Sequence, residues 1–177
     1  LVDGTLRFVG FINYGLYLER FVKMFPGVQR IVMLGCSAGG YGIRTNLERT
    51  LAAFPGVPIT VIADSALPVG APYNPSSLQA LQRQLWDIQD SVLDPCGAAC
   101  PNQDDYVLDS VSALMKRHPN VRFGVISYTV DSVLPAFWGI TPAKFTEGLW
   151  ASRAKMLAAH PNVAYYVIDC TGHCVLG

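Results

Sequence analysis

The chain has 177 residues, of which 51% are hydrophobic and 15% charged, and its formal net charge is zero at pH 7. This composition excludes a disordered chain, so we expect one domain over residues 1–177 with a sizeable core. The sequence contains no basic stripe and no apolar run of about 20 residues, which indicates no nucleic-acid partner and no membrane span.

Helical and strand-like segments alternate along the chain. Helical periodicity is found at residues 15–25, 41–54, 76–88, 104–117 and 141–160, and apolar β-branched runs predict strands at 28–34, 57–63, 121–128 and 163–168. No hairpin signal joins the strands. The pattern therefore predicts an α/β fold, a three-layer sandwich in which helices cover the faces of a mostly parallel sheet.

A Gly-x-Ser-x-Gly motif follows the first predicted strand at residues 35–39 and precedes a predicted helix. A strand, this turn and a helix are typical of the nucleophile elbow of α/β-hydrolases. We expect Ser37 to be a nucleophile at the sheet edge and the backbone N–H of Ala38 to contribute to an oxyanion hole. The alternative is a glycine-rich turn between a strand and a helix that has no catalytic role.

Among the three histidines, His173 is the best candidate for a general base, because it follows the last predicted strand. His118 and His160 both precede a proline just after a helix, so we expect them to close helix ends. A serine hydroxyl needs such a base to remove its proton.

Three carboxylates compete for the role of the triad acid. Asp131 follows the third strand, two strands after the nucleophile strand, which is the usual place in α/β-hydrolases, and we prefer it. Asp64 follows the adjacent strand and can instead brace the elbow by accepting backbone N–H groups. Asp169, near His173, is the third candidate.

The five cysteines contain two closely spaced pairs. We expect disulfides between Cys96 and Cys100 and between Cys170 and Cys174, with Cys36 unpaired inside the elbow. Two disulfides favour a secreted or extracytoplasmic protein. The alternative is a zinc site formed by Cys170, His173 and Cys174, but its spacing is not a standard zinc frame. We therefore expect neither a metal nor a cofactor.

Four motifs together resemble the pectin acetylesterase/Notum family of serine carboxylesterases. They are GCSAGGYG at 35–42, IADS at 62–65, SYTVDS at 127–132 and GHC at 172–174. The resemblance implies an α/β-hydrolase fold with Ser37 as nucleophile, Asp131 as acid and His173 as base. It also implies deacylation of an acylated carbohydrate such as acetylated pectin, or of a lipid-acylated protein in the Notum branch.

The chain departs from the family pattern before the elbow. We find no glycine-rich segment with Trp and Cys between Leu1 and Leu34, and no segment that predicts the first strands of the sheet. We therefore expect an N-terminally truncated hydrolase whose nucleophile strand lies at a sheet edge, and the alternative is an unusually small sheet. A remnant that binds carbohydrate or a partner without catalysis is the competing hypothesis. It draws on aromatic side chains that could stack on sugars or pack in the core, namely Phe137, Trp138, Trp150 and Tyr165.

Overall fold

The computed structural model describes residues 9–176, so the segment that precedes Val9 lies outside it. The helices are α1 (Gly10–Met24), α2 (Ala38–Thr45), α3 (Leu47–Ala53), α4 (Ser76–Trp86), α5 (Asp94–Cys96), α6 (Val107–Arg117), α7 (Leu134–Trp138) and α8 (Pro142–Ala159). The strands are β1 (Ile31–Cys36), β2 (Ile59–Asp64), β3 (Arg122–Asp131) and β4 (Val163–Gly172). A π-helical turn at Gln89–Leu93 and a 3₁₀ turn at Gly97–Ala99 flank α5.

The four strands form one parallel sheet in the order β1-β2-β3-β4. The α/β class and the parallel sheet predicted from the sequence are therefore confirmed. β1 carries the elbow and is an edge strand, since within residues 9–176 it pairs only with β2. The strand register aligns Cys36 with Asp64 and Asp131 with Gly172, so the ends of neighbouring strands lie side by side.

The core lies on one face of the sheet. Met33, Val61 and Phe123 point from this face into a cluster that also contains buried side chains of α3, α6 and α8, among them Leu47 and Phe145. Because side chains alternate along a strand, the apolar residues between them point to the other face. In the described part of the chain, the three expected layers are therefore two, a sheet and one helical layer.

The opposite face of the sheet carries apolar side chains that solvent reaches. Val32, Leu34 and Tyr166 are 57%, 51% and 63% exposed. The apolar stripe of α1 is exposed as well, over most of its length from Phe11 to Met24. None of the helices in residues 9–176 combines the length and hydropathy needed to cross a membrane.

Several boundaries differ from those expected. α1 begins at Gly10 and not near residue 15, because a glycine inside a helix costs only about 1 kcal/mol and does not end it. The helix expected at 41–54 is two helices, α2 and α3, which meet at Asn46. The Asn46 side chain donates to the Gly42 carbonyl at 2.9 Å, a local bond that competes with regular helix geometry.

Candidate active site

The turn after β1 has the backbone geometry of a nucleophile elbow. Ser37 has φ 51° and ψ −121°, a conformation that residues other than glycine rarely adopt. Its N–H donates to the Asp64 carbonyl at 2.8 Å, which ties the turn to β2. A Cβ on Gly35 would overlap the Gly39 carbonyl, and one on Gly40 would lie 2.8 Å from the Gly35 oxygen. Glycine is therefore required at both positions for the turn to close.

The start of α2 leaves two backbone donors available beside Ser37. Gly40 and Tyr41 donate to the Ser37 carbonyl at 2.9 and 3.2 Å. In residues 9–176, no acceptor is found for the N–H groups of Ala38 and Gly39. The first N–H groups of a helix have no partner inside the helix and attract negative charge. Ala38, expected to be an oxyanion donor, thus has its N–H unoccupied.

His173 and Asp131 form a close pair. His173 Nδ1 lies 3.0 and 2.9 Å from the two carboxylate oxygens of Asp131. Asp131 is only 1% exposed, and its Oδ1 also accepts the N–H groups of Val133 and Leu134 at 2.8 Å. These bonds fix the carboxylate at the end of β3. Because Nδ1 faces Asp131, Nε2 is the nitrogen left to act on another group.

A disulfide joins the residue before Ser37 to the residue after His173. Cys36 and Cys174 are bonded, with their Cα atoms 5.7 Å apart. The expected Cys170–Cys174 pairing is wrong, and so is the expectation that Cys36 is unpaired; Cys170 is the free cysteine and is exposed. The prediction for Cys96 and Cys100 is confirmed.

The pairing error has a physical cause. β4 continues to Gly172, four residues beyond its expected end, so Cys170 belongs to an extended strand. A strand advances about 3.3 Å per residue, which carries the chain away from Cys170 before it can turn. A disulfide needs Cα atoms within about 7 Å, and β1 offers Cys36 at that distance from Cys174.

The disulfide draws the expected base towards the elbow. A ring nitrogen of His173 and the sulfurs of Cys36 and Cys174 all lie within 4.8 Å of one another. In the described part of the chain, the Ser37 hydroxyl makes no hydrogen bond, so the structure brings His173 to Asp131 and next to the elbow without a serine–histidine bond. These three atoms do not form a zinc site, because the two sulfurs are bonded to each other in the disulfide and are not thiolate ligands.

Asp64 and Ser65 hold the loop that carries His173. Asp64 is fully buried, and its Oδ2 accepts the N–H of Leu176 at 2.7 Å. Ser65, with φ 49°, accepts the N–H of Cys174 at its Oγ, 3.0 Å away. The sequence indicated that Asp64 could brace the elbow by accepting backbone N–H groups, but its carboxylate accepts an N–H of the histidine loop instead. The role of Ser65 was not predicted, although the IADS motif contains it.

The other two histidines lie outside the site. His118 and His160 are the residues that follow the last turns of α6 and α8, as expected. His118 contacts Glu48 at 3.0 Å, and His160 contacts Ser112 at 2.8 Å. Burial and then the charge of Lys116 lower the pKa of His160.

Other candidates, one acid and three aromatic residues, differ in how far their side chains are exposed to solvent. Asp169 is exposed on β4 and makes no hydrogen bond to His173 within the described residues. Trp138 is buried against Phe145, with ring centroids 5.6 Å apart, so it is a core residue. Phe137 and Trp150 are 57% and 44% exposed and remain available to a ligand.

Comparison with known proteins gives a structural match and no sequence match. No protein-family model and no curated protein matches the chain. Among the solved structures that match is the Wnt deacylase Notum from Drosophila, with a TM-score of 0.62 and 20% sequence identity. The match covers 90% of this chain and 51% of that one, so the chain spans about half the length of Notum. The chain thus has the α/β fold of one half of this hydrolase, as its motifs led us to expect.

Proposed function

We propose that the chain is a serine carboxylesterase that deacetylates an O-acetylated, pectin-like polysaccharide, with Ser37 as nucleophile, His173 as base and Asp131 as acid. The observation that carries the proposal is the buried Asp131 carboxylate 2.9 Å from His173 Nδ1, in a loop bonded through Cys174 to the residue before Ser37. The structural match to a deacylase supports the same class of reaction.

The reaction follows from this arrangement. His173 Nε2 takes the proton of the Ser37 hydroxyl while the Ser37 oxygen attacks the ester carbonyl carbon. The negative charge that develops on the carbonyl oxygen is stabilised by the unoccupied N–H of Ala38. The C–O bond to the sugar breaks, and the sugar oxygen takes the proton from His173. Water then attacks the acyl-serine by the reverse route and releases acetate. Asp131 stays ionised and fixes the imidazole tautomer.

The polysaccharide part of the proposal rests on the motifs and on one exposed ring. α7 follows β3 directly, so Phe137 lies near the end of the strand that carries Asp131. Exposed aromatic rings are suited to stacking against the apolar face of a sugar. Two disulfides support an extracytoplasmic location.

The test is hydrolysis of p-nitrophenyl acetate by the wild type and by Ser37→Ala, with Thr45→Ala, at the far end of the helix that follows Ser37, as a matched control. We expect turnover by the wild type and the control, none by Ser37→Ala, and labelling of Ser37 by a fluorophosphonate. Equal rates for wild type and Ser37→Ala would leave the non-catalytic binding remnant as the better hypothesis. A preference for p-nitrophenyl octanoate over acetate would instead favour the lipid-deacylating esterase.

A further inference from the structure

We propose that a cavity beside the elbow binds a carboxylate attached to an apolar body, with Arg44 as the group that binds the anion. The cavity has a volume of about 390 Å³ and is lined by α2, α6 and residues 86–95. Its wall is mainly apolar and includes the rings of Tyr41, Trp86 and Tyr106. Such a cavity, with an apolar wall and a few polar groups, is typical of a small-molecule site.

Arg44 is the unusual residue of this wall. Its side chain is 6% exposed, and it lies on the cavity. Nη1 donates to the Ala66 carbonyl at a long 3.4 Å, and the guanidinium carbon lies 4.2 Å from the centre of the Tyr41 ring. Neither partner carries a negative charge. In residues 9–176, Arg44 forms no salt bridge and makes no other hydrogen bond, so most of its five N–H donors have no acceptor there.

The acid that lines the same cavity is already engaged. Glu48 follows Arg44 by four residues, on α3, but its Oε1 accepts from Arg117 at 2.9 and 3.0 Å and contacts His118 at 3.0 Å. Burial raises the pKa of Glu48, and the hydrogen bonds from His118 and Arg117 outweigh it, so the pKa is lowered. Glu48 is therefore a carboxylate paired away from Arg44.

The charge of Arg44 also lacks compensation from the tyrosines around it. Burial raises the pKa of Tyr41 to about 12 and raises that of Tyr106, so both phenols are neutral at pH 7. Burial lowers the pKa of Arg44 itself. A buried cation without a counter-ion is costly, whereas the planar guanidinium matches a carboxylate with two parallel hydrogen bonds.

The dimensions of the cavity set the length of the apolar body. Ala38, at the other end of α2, also lines the cavity, six residues before Arg44. A helix rises 1.5 Å per residue, so the two ends lie about 9 Å apart along its axis. A medium-length alkyl or an aromatic acid spans this distance. A neutral chain would leave Arg44 unpaired, and an inorganic anion would leave the aromatic wall in contact with water.

The test is calorimetric titration of the whole chain with octanoate, 1-octanol and inorganic phosphate below micellar concentrations. We expect octanoate to bind at least about tenfold more tightly than octanol, and phosphate not to bind. Equal affinity for octanoate and octanol, or for octanoate and phosphate, would overturn the proposal. None of the probes is an ester, so the result does not depend on whether Ser37 is a nucleophile.

Two substitutions locate the anion site. Arg44→Leu keeps an apolar wall and is expected to weaken octanoate about 30-fold or more, with octanol unchanged. Arg153→Gln, the matched control, removes a positive charge from an exposed position of α8 that does not line the cavity, and is expected to change octanoate affinity less than about threefold. The reverse result would contradict the assignment to Arg44.

A further variant keeps the proposal testable if Arg44→Leu does not fold. Ser110→Phe, on the α6 wall, fills the cavity while Arg44 stays in place. It is expected to abolish binding of both octanoate and octanol, and retained octanoate binding in this variant would exclude the cavity as the site.

Discussion

Replacing Asp131 by asparagine is the sharpest test of the proposed catalytic geometry. The Asp131 Oδ1 accepts the N–H groups of Val133 and Leu134 at 2.8 Å, and both oxygens face His173 Nδ1. An asparagine oxygen can keep the two backbone bonds, which places its NH₂ where Oδ2 was. Nδ1–H and the NH₂ group would then be two donors facing each other, so the ring adopts the tautomer with its proton on Nε2.

That tautomer cannot take the proton of Ser37. In serine hydrolases such a change costs about 10⁴-fold in kcat, which corresponds to about 5 kcal/mol of transition-state stabilisation. The fold should change little, since the backbone bonds remain. The assay is the initial rate with p-nitrophenyl acetate, with near-ultraviolet circular dichroism and thermal unfolding to confirm that Asp131→Asn is folded.

Asp64→Asn is the matched control. Asp64 is as buried as Asp131, but its contacts are with Leu176 N–H and the Ser65 hydroxyl, at 2.7 and 3.4 Å. An asparagine can accept the first and donate to the second, so we expect less than a tenfold loss of rate. A folded Asp131→Asn that keeps its activity, beside an Asp64→Asn that loses it, would refute the reasoning and make Asp64 the acid.

Three further predictions concern stability and are measured by urea unfolding. Cys36→Ala should lower the free energy of unfolding by up to about 5 kcal/mol, because its disulfide closes a loop of 138 residues, whereas Cys96→Ala should cost about 2 kcal/mol for a separation of 4; equal losses would contradict the chain-entropy argument. Gly35→Ala should cost about 1–3 kcal/mol, because its Cβ overlaps the backbone of the elbow helix, and an unchanged midpoint would show that the turn can widen. The lowered pKa of His160 means that the unfolded chain binds more protons below its ordinary pKa of 6.5, so stability is full above that value and falls as the pH drops through the folded-state pKa, by at most about 1.4 kcal/mol per pH unit. His160→Gln should flatten this slope between pH 7.5 and 5.5, and an unaltered slope would assign it to another group.

The parts of the fold that the sequence predicted are those set by local pattern. Alternating helical and β-branched segments predicted a parallel sheet, and the four strands lie in chain order. Because the carboxyl ends of parallel strands share one edge, residues that follow different strands are brought together without knowledge of any contact. This explains why the pairing of His173 with Asp131 could be expected from positions 42 residues apart.

The parts that could not be predicted depend on contacts distant in sequence. Spacing alone made Cys170 and Cys174 a plausible pair, and only the continuation of β4 to Gly172 separates them. The exposure of the second sheet face likewise depends on what packs against it, which strand patterns do not report. The apolar character of Val32 and Leu34 predicts burial, yet they are 57% and 51% exposed here.

The loop after β4 shows how an irregular segment can hold the side chain of the proposed base in place. Residues 173–176 lie beyond the last strand, so no strand pairing fixes their position. Three contacts from three strands hold them instead: the Asp131 carboxylate on His173, the Cys36 disulfide on Cys174, and Asp64 with Ser65 on the backbone N–H groups. Each contact fixes a different degree of freedom, since the first orients the ring, the second sets its distance from β1 and the third sets the path of the chain. Loss of the disulfide alone should therefore allow the His173 ring to move away from the elbow while its hydrogen bond to Asp131 persists. The rate of hydrolysis is then expected to fall although the His173–Asp131 pair remains formed.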